Sequence, residues 1–402
     1  MTDMTRVRVR GPLAADVRGF WAELAAQGYT PLSATNQVRV MAHLSRWLER
    51  HRLSARECTP PRVAQFLRAR RRAGYTAWLS ERGLRPLLGY LRRLQIVPAP
   101  LGPVAPSALD HLLDRYDEYL QHERGLGRST VHARVAVARR FLSEHGHGER
   151  LALEALTAGD VTRFVLGACR EWSAGSAQGL VSHLRSLLRF LYLEGRTPTP
   201  LAGAALAVAG WRLSGLPRAL EPAQAARLLR SCDRRTAVGR RDYAIVLLLV
   251  RLGLRRGEVA ALALDDIDWR RGEIVIRGKG QHDARLPLPP DVGDALVASV
   301  RRRPPRLACR RVFLRCRAPH GSLAPSAITA VVHHACDRAG MPRLGAHRLR
   351  HTAATQLLRQ GASLPEIAQV LRHRSLTTTA IYAKVDRTAL RQVARPWPGA
   401  AR

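Results

Sequence analysis

Lysine is nearly missing from this chain of 402 residues: of 66 basic side chains only Lys279 and Lys384 are lysines, and the rest are arginines. Acidic residues are also scarce, at 31, which leaves a formal net charge of +35 and a pI near 11.6. Aromatic residues make up only 5%. The six cysteines (Cys58, Cys169, Cys232, Cys309, Cys316, Cys336) form no CxxC pair and no Cys/His cluster at zinc spacing. That argues against a zinc or disulfide framework and makes a reducing cytoplasm the expected compartment. No apolar run approaches the roughly 18 residues that suggest a membrane span. The segment Met1 to Arg10 alternates Arg and Val without an apolar stripe, so neither a targeting peptide nor a membrane-surface helix is expected.

What is present is ordinary globular composition, 46% hydrophobic and 24% charged, over a length that suits two or three domains. A folded chain this basic implies a polyanionic partner, with nucleic acid the leading choice. An arginine bias of this kind reflects a preference for GC-rich codons, so most of the arginines say little individually. A lysine that persists against that background is singled out by contrast.

Two proline-bearing stretches, Val97 to Pro103 and Thr197 to Pro200 with an Ala/Gly-rich continuation to Pro217, divide the chain into three segments. The first two are helical in pattern and resemble each other. Trp47-Leu48 aligns with Phe141-Leu142, Thr59/Val63/Phe66 with Thr157/Val161/Phe164, and Leu84, Leu87, Leu88, Tyr90, Leu91 with Leu184, Leu187, Leu188, Phe190, Leu191. A duplicated domain gives such a pattern; so does apolar spacing shared by any two helical bundles. Net charge differs sharply: +12 over residues 1–106, +1 over 107–200 and +22 over 201–402.

The third segment is mixed. Helices are expected over Pro222 to Ser231, Arg241 to Leu252, Glu258 to Leu264, Ser326 to Ala339, Arg348 to Gln360 and Leu364 to Leu371, with a further one over Thr377 to Val385. Glu273 to Arg277 and Ala284 to Leu288 alternate around a glycine-rich turn and predict a β-hairpin.

Arg255 lies in Gly253-Leu254-Arg255-Arg256-Gly257-Glu258; Lys279 follows by 24 residues in the hairpin turn, and His347-x-x-Arg350-His351 opens a helix. His373 follows Arg350 by 23 residues, and Tyr382 follows His373 by 9. This set resembles the tyrosine recombinase (phage integrase, Xer-like) family, whose catalytic residues are Arg, Lys, His-x-x-Arg, His or Trp, and Tyr in that order. The resemblance covers about residues 217–395 with specific motifs, and residues 107–200 look like the family's helical core-binding domain.

The resemblance assigns Tyr382 as the nucleophile that holds the DNA phosphate covalently. Arg255 and Arg350 are then guanidinium forks for the pentacoordinate phosphate, and His373 is a further hydrogen-bond donor to it. Lys279, on a mobile turn, would protonate the leaving 5′-oxygen; arginine, with its higher pKa, would not. His347 is expected to accept the tyrosine proton or to order the site. Glu258 and Asp283 are expected to orient Arg255 and Lys279. Arg256 and Arg348 read as solvated helix charges. His347 and His351 at i, i+4 would suit a metal, but no carboxylate or cysteine completes a set, so no metal and no cofactor is expected. Two positions depart from the family pattern: Arg372 stands where many members have Gly, and Lys384 where many have His. A cation at 372 would add a phosphate contact or perturb the turn.

The resulting expectation is a mainly α multidomain protein. It would have a SAM-like DNA-binding module over 1–100, a SAM-like core-binding domain over 107–200, a mixed α/β, mostly helical catalytic domain with a small antiparallel sheet over 217–395, and a tail over 396–402 in which Trp397 lies between prolines. The modules and the catalytic domain would clamp double-stranded DNA. The implied function is a site-specific DNA recombinase or integrase acting through a 3′-phosphotyrosine, for a mobile element, as a homo- or hetero-tetramer on DNA with or without sister recombinases. The implied location is the bacterial cytoplasm, at the nucleoid. The alternatives are a type IB topoisomerase-like enzyme and a catalytically silent DNA-binding accessory protein.

Overall fold

The computed structural model describes residues 7–98, 107–144, 146–147, 150–209, 219–278, 283–301, 309–373 and 375–385. Lys279 with its turn, Arg374, and the tail with Trp397 lie outside them. The chain divides into two compact units, one of residues 1–97 with 215–402 and the other of 98–214.

Residues 7–97 build four main helices, α1 (Val17–Ala26), α2 (Pro31–Arg50), α3 (Pro60–Arg72) and α4 (Glu81–Arg93). Thr30 caps α2 by accepting from the Ser33 amide, with Pro31 at the first helical position. Leu84, Leu87, Leu88 and Leu91 recur at helical spacing on α4 and are buried against Phe20, Met41, Leu44 and Phe66 in one core.

The second unit has α5 (Ala108–Glu118), α6 (Arg128–Ser143), a short ribbon β1 (Gly146–His147) with β2 (Arg150–Leu151), α7 (Ala158–Glu171) and α8 (Ala174–Leu193). Capping boxes at Ser107/Asp110 and Thr157/Asp160 start α5 and α7. Contacts inside the two helical modules correspond. Trp47 meets Phe66 edge-on at 5.9 Å between centroids, as Phe141 meets Phe164 at 5.0 Å. Phe20 meets Tyr90 at 5.3 Å, as Tyr116 meets Phe190 at 5.0 Å. Gln95 and Gly195, each just past its last helix, share a left-handed backbone.

The rest of the first unit comprises α9 (Pro222–Arg230), α10 (Ala237–Arg251), α11 (Arg256–Ala261), strands β3 (Ile267–Asp268), β4 (Glu273–Arg277) and β5 (Asp283–Pro287), then α12 (Pro290–Val300), α13 (Pro325–Arg338), α14 (Ala346–Arg359), α15 (Leu364–Leu371) and α16 (Leu376–Thr379). Helix α10 is its centre: Ala244 to Val250 are buried without interruption, enclosed by α12, α13 and α14. The sheet is antiparallel in the order β3-β4-β5, with Ile274, Ile276 and Leu286 buried on one face.

Strand β3 and helix α12 go beyond the elements the sequence announces. Helix α11 starts earlier than Glu258 because Arg255 is its cap residue and the Glu258 carboxylate accepts the Arg255 amide. It stops at Ala261, and Leu264–Asp266 form a separate 3-10 turn. The helix expected over Thr377 to Val385 divides into α16 and a tighter 3-10 segment, Ala380–Val385; the β-branched run Thr377 to Thr379 disfavours a long regular α-helix.

Candidate active site

Four backbone pieces converge: the loop between α10 and α11, the start of α14, the end of α15, and the 3-10 segment that carries Tyr382. Arg350 ties them together. It is 1% exposed, its Nη1 donates to the Gly253 carbonyl at 2.6 Å, and its Nη2 donates to the Leu371 carbonyl. Gly253 has φ +57, and a Cβ there would lie 2.6 Å from Leu371 Cδ2, so the position requires glycine.

Glu258 supplies the negative charge. One oxygen receives Arg255 Nη1 at 2.7 Å, the other the Arg255 amide at 2.7 Å and Arg372 Nη2 at 2.8 Å. Burial pushes its pKa up, but Arg372 first and then the Arg255 amide, side chain and charge outweigh that, so it sits below the usual carboxylate value. Arg255 is exposed, with Nη2 on the Arg372 carbonyl at 3.2 Å. Burial, then the charges of Arg255 and Arg372, press Arg350 down to about 9, which leaves it cationic at neutral pH. Three guanidiniums thus face one carboxylate, a local excess of two positive charges suited to an anion.

Arg372 answers the question raised by the missing glycine. Its backbone is left-handed, φ +55, the conformation glycine adopts without strain. Its side chain turns inward to Glu258 rather than outward, so it is a partner of the carboxylate and not an added surface cation.

Tyr382 is 1% exposed and packs with Ala354, Ile367 and Leu371. Its hydroxyl lies 2.8 Å from His351 Nδ1. Burial pushes the phenol up to about 12, with Arg350 opposing; at neutral pH it keeps its proton unless a base removes it. His351 is held down to about 4 by burial, then by His347 and Arg350, so it is neutral at pH 7, and in the tautomer protonated on Nε2 its Nδ1 accepts from the hydroxyl. His347 stands against the far side of His351, ring centroids 4.6 Å apart. It too is lowered, by burial and then by Arg350 and Arg255. The side chain beside the tyrosine is therefore His351, which the sequence offered only as a metal-ligand pair with His347. Among the described residues no group of three or more His, Cys, Asp or Glu is placed to hold a metal.

His373 closes the rim. Its amide donates to Ala368 at the end of α15, and its Nδ1 is 2.7 Å from the buried Thr379 hydroxyl. Burial, then Arg350 and Arg255, lower it to about 4. Asp283 begins β5 opposite Arg277; its expected partner Lys279 lies outside the described residues. Arg256 is exposed and reaches Thr329, and Lys384 is exposed.

Comparison with known proteins places this arrangement. Residues 218–388 match the phage integrase family, and residues 113–195 match the phage integrase N-terminal SAM-like domain. A Sinorhizobium fredii protein named as an integrase/recombinase, y4rA, is 41% identical over 97% of this chain and 96% of its own. Tyrosine recombinase XerC of Oceanobacillus iheyensis is 30% identical over 71% of this chain and 95% of its own. In fold, the chain is similar to a lambda integrase dimer bound to a COC′ core site (TM-score 0.53, 20% identity, 72% of this chain and 98% of that one). It is also similar to a Tn1549 transposon integrase bound to a circular intermediate DNA (TM-score 0.53, 15% identity, 70% and 99%). No helix among the described residues is long and apolar enough to cross a membrane. A relative this similar over nearly the full length of both chains, with the match to the family's catalytic domain, identifies the chain as a member of the phage integrase family of tyrosine recombinases, enzymes that break and rejoin DNA.

Proposed function

We propose that the enzyme exchanges DNA strands site-specifically through Tyr382, on behalf of a mobile element. The tyrosine oxygen attacks the scissile phosphate in line; the bond from phosphorus to Tyr382 forms as the bond to the 5′-oxygen breaks. The product is a 3′-phosphotyrosine and a free 5′-hydroxyl. The phenol proton passes to His351, which burial and then His347 and Arg350 keep neutral, and Lys279 protonates the departing 5′-oxygen. A 5′-hydroxyl from a second strand reverses the step.

Arg255 and Arg350 carry the charge that builds on the non-bridging oxygens, with His373 as a further donor. Glu258 orients Arg255, and Asp283 acts the same way toward Lys279. Two duplexes and two cleavages per exchange call for four protomers on DNA; a lambda integrase tetramer bound to a Holliday junction, similar in fold with TM-score 0.52, supports that assembly. The relatives' names as integrases and recombinases favour strand exchange over topoisomerase-like relaxation. Retention of all six positions speaks against a silent accessory protein.

The observation that carries the reading is the excess of guanidinium charge beside a buried tyrosine that already touches a neutral histidine. Its test is a nicked suicide duplex carrying candidate element ends. The wild type should form a covalent complex that Tyr382→Phe abolishes; a complex persisting in that variant would remove Tyr382 as nucleophile.

A further inference from the structure

Arg70, near the end of α3, is 6% exposed, yet its Nε and Nη1 have no hydrogen-bond partner; only Nη2 is used, on the Ala77 carbonyl at 3.1 Å. Buried guanidinium N–H groups are among the most expensive to leave unpaired. The group is flanked by aromatic rings, 4.2 Å from the Tyr75 centroid and 5.7 Å from that of Phe66. Tyr75 is exposed, follows Gly74 at φ +80, and meets His43 edge-on at 5.0 Å. Burial, then the charges of Arg70 and of Arg46, lower the His43 pKa. Among the described residues no carboxylate enters this cluster. Among the described residues of the first helical module the ion pair is Arg93 with Glu23, at another site.

The second module gives an internal comparison. There Arg140 lies over Phe164, the counterpart of Phe66, and over Trp172, at 5.8 and 5.3 Å. That guanidinium is neutralised by Glu171 at 2.9 Å. The same module contains further pairs, Arg115 with Glu194, Arg139 with Asp110 and Arg163 with Asp160. An arginine stacked on aromatic rings thus occurs twice, balanced in one module and unbalanced in the other.

We propose that Arg70, Arg46 and His43, covered by Tyr75, form a seat for one or two backbone phosphates of double-stranded DNA. The first module would thereby grip the duplex away from the scissile bond. This rests on the reading of the enzyme as a DNA recombinase and adds to it a site outside both matched family regions. The Tyr75 ring acts as a movable cover: swinging it off exposes the unpaired N–H groups to a phosphate oxygen, and the ring itself can rest against the sugar-phosphate chain.

The test is the salt dependence of duplex binding by the full chain. Each phosphate neutralised contributes about 0.9 to the slope of log affinity against log salt. Arg70→Met and Arg46→Gln should each make the slope shallower, by up to about 0.9, while Arg140→Gln should leave it unchanged. Should Arg70→Met fail to fold, Arg46→Gln, a change at an exposed position, decides the matter. Wild-type slopes for the first-module variants, or an equal loss for Arg140→Gln, would overturn the proposal. The two readings fail separately: a wild type that forms no covalent complex removes the assignment of Tyr382, whereas unchanged slopes remove only the phosphate seat.

Discussion

Replacing Glu258 by glutamine tests the electrostatic design of the site. The carboxylate is nearly buried, as is Arg372 (7% and 10% exposed side chains), and it also holds Arg255. Glutamine keeps the shape and one acceptor but removes the carboxylate that, among the described residues, faces Arg255, Arg350 and Arg372. Breaking a buried pair on one side typically costs about 3–5 kcal/mol; because Arg255 is half-exposed and glutamine still accepts one bond, about 2–3 kcal/mol is expected. For a domain of this size that is a fall in Tm of roughly 4–12 °C, read by thermal unfolding at pH 7. The folded carboxylate titrates below the unfolded value of 4.5, so its stabilisation is complete above pH 4.5 and is lost as pH falls through the folded pKa. Wild type and Glu258→Gln should therefore converge in acid. They should also converge on DNA, because a phosphate replaces the missing anion. Equal Tm values at pH 7 without DNA, or a gap that DNA does not narrow, would refute the reasoning.

Three further outcomes follow from the same geometry. Gly253→Ala forces a Cβ into Leu371 at a left-handed backbone position and displaces the carbonyl that holds Arg350; thermal unfolding should show a loss of about 2 kcal/mol or more, together with weaker cleavage. His351→Gln keeps a partner for the tyrosine hydroxyl but removes the proposed base, so single-turnover cleavage should slow by about 100-fold or more with little change in DNA affinity. Folded His351 and His373 titrate near pH 4 against 6.5 unfolded, so the unfolded chain binds more protons between those values. Stability should then fall as pH drops from 6.5 towards 4, and a His351→Gln, His373→Gln variant should show a flatter urea-midpoint profile over that window.

Much of this was legible in the sequence because the catalytic spacing is carried by residues whose identity is chemically constrained. The hairpin, α9, α10, α13, α14 and α15 follow from periodicity, caps and turn glycines. Helix α12 was not read because it begins at two prolines and holds little apolar contrast. The role of His351 was hidden for another reason: it depends on where the chain places Tyr382 after two turns, and adjacency in space across 31 residues leaves no mark in spacing. Arg372 was equally opaque. Its type suggested a surface cation, and only the left-handed turn at the end of α15 sends the guanidinium inward to Glu258. The pairing of Arg255 with Glu258, by contrast, is local, three residues apart, and agrees with the expectation that Glu258 orients Arg255.

The mechanism requires that the Tyr382 oxygen be the atom that becomes attached to DNA. Tryptic digestion of the covalent complex formed on a nicked suicide duplex, after nuclease trimming, should place the nucleotide on the peptide Ser375 to Lys384, whose one tyrosine is Tyr382. Fragmentation should assign the added phosphate to that side chain through the 3′ end of the cleaved strand. An adduct on any other residue, or one linked through a 5′ end, would contradict the mechanism.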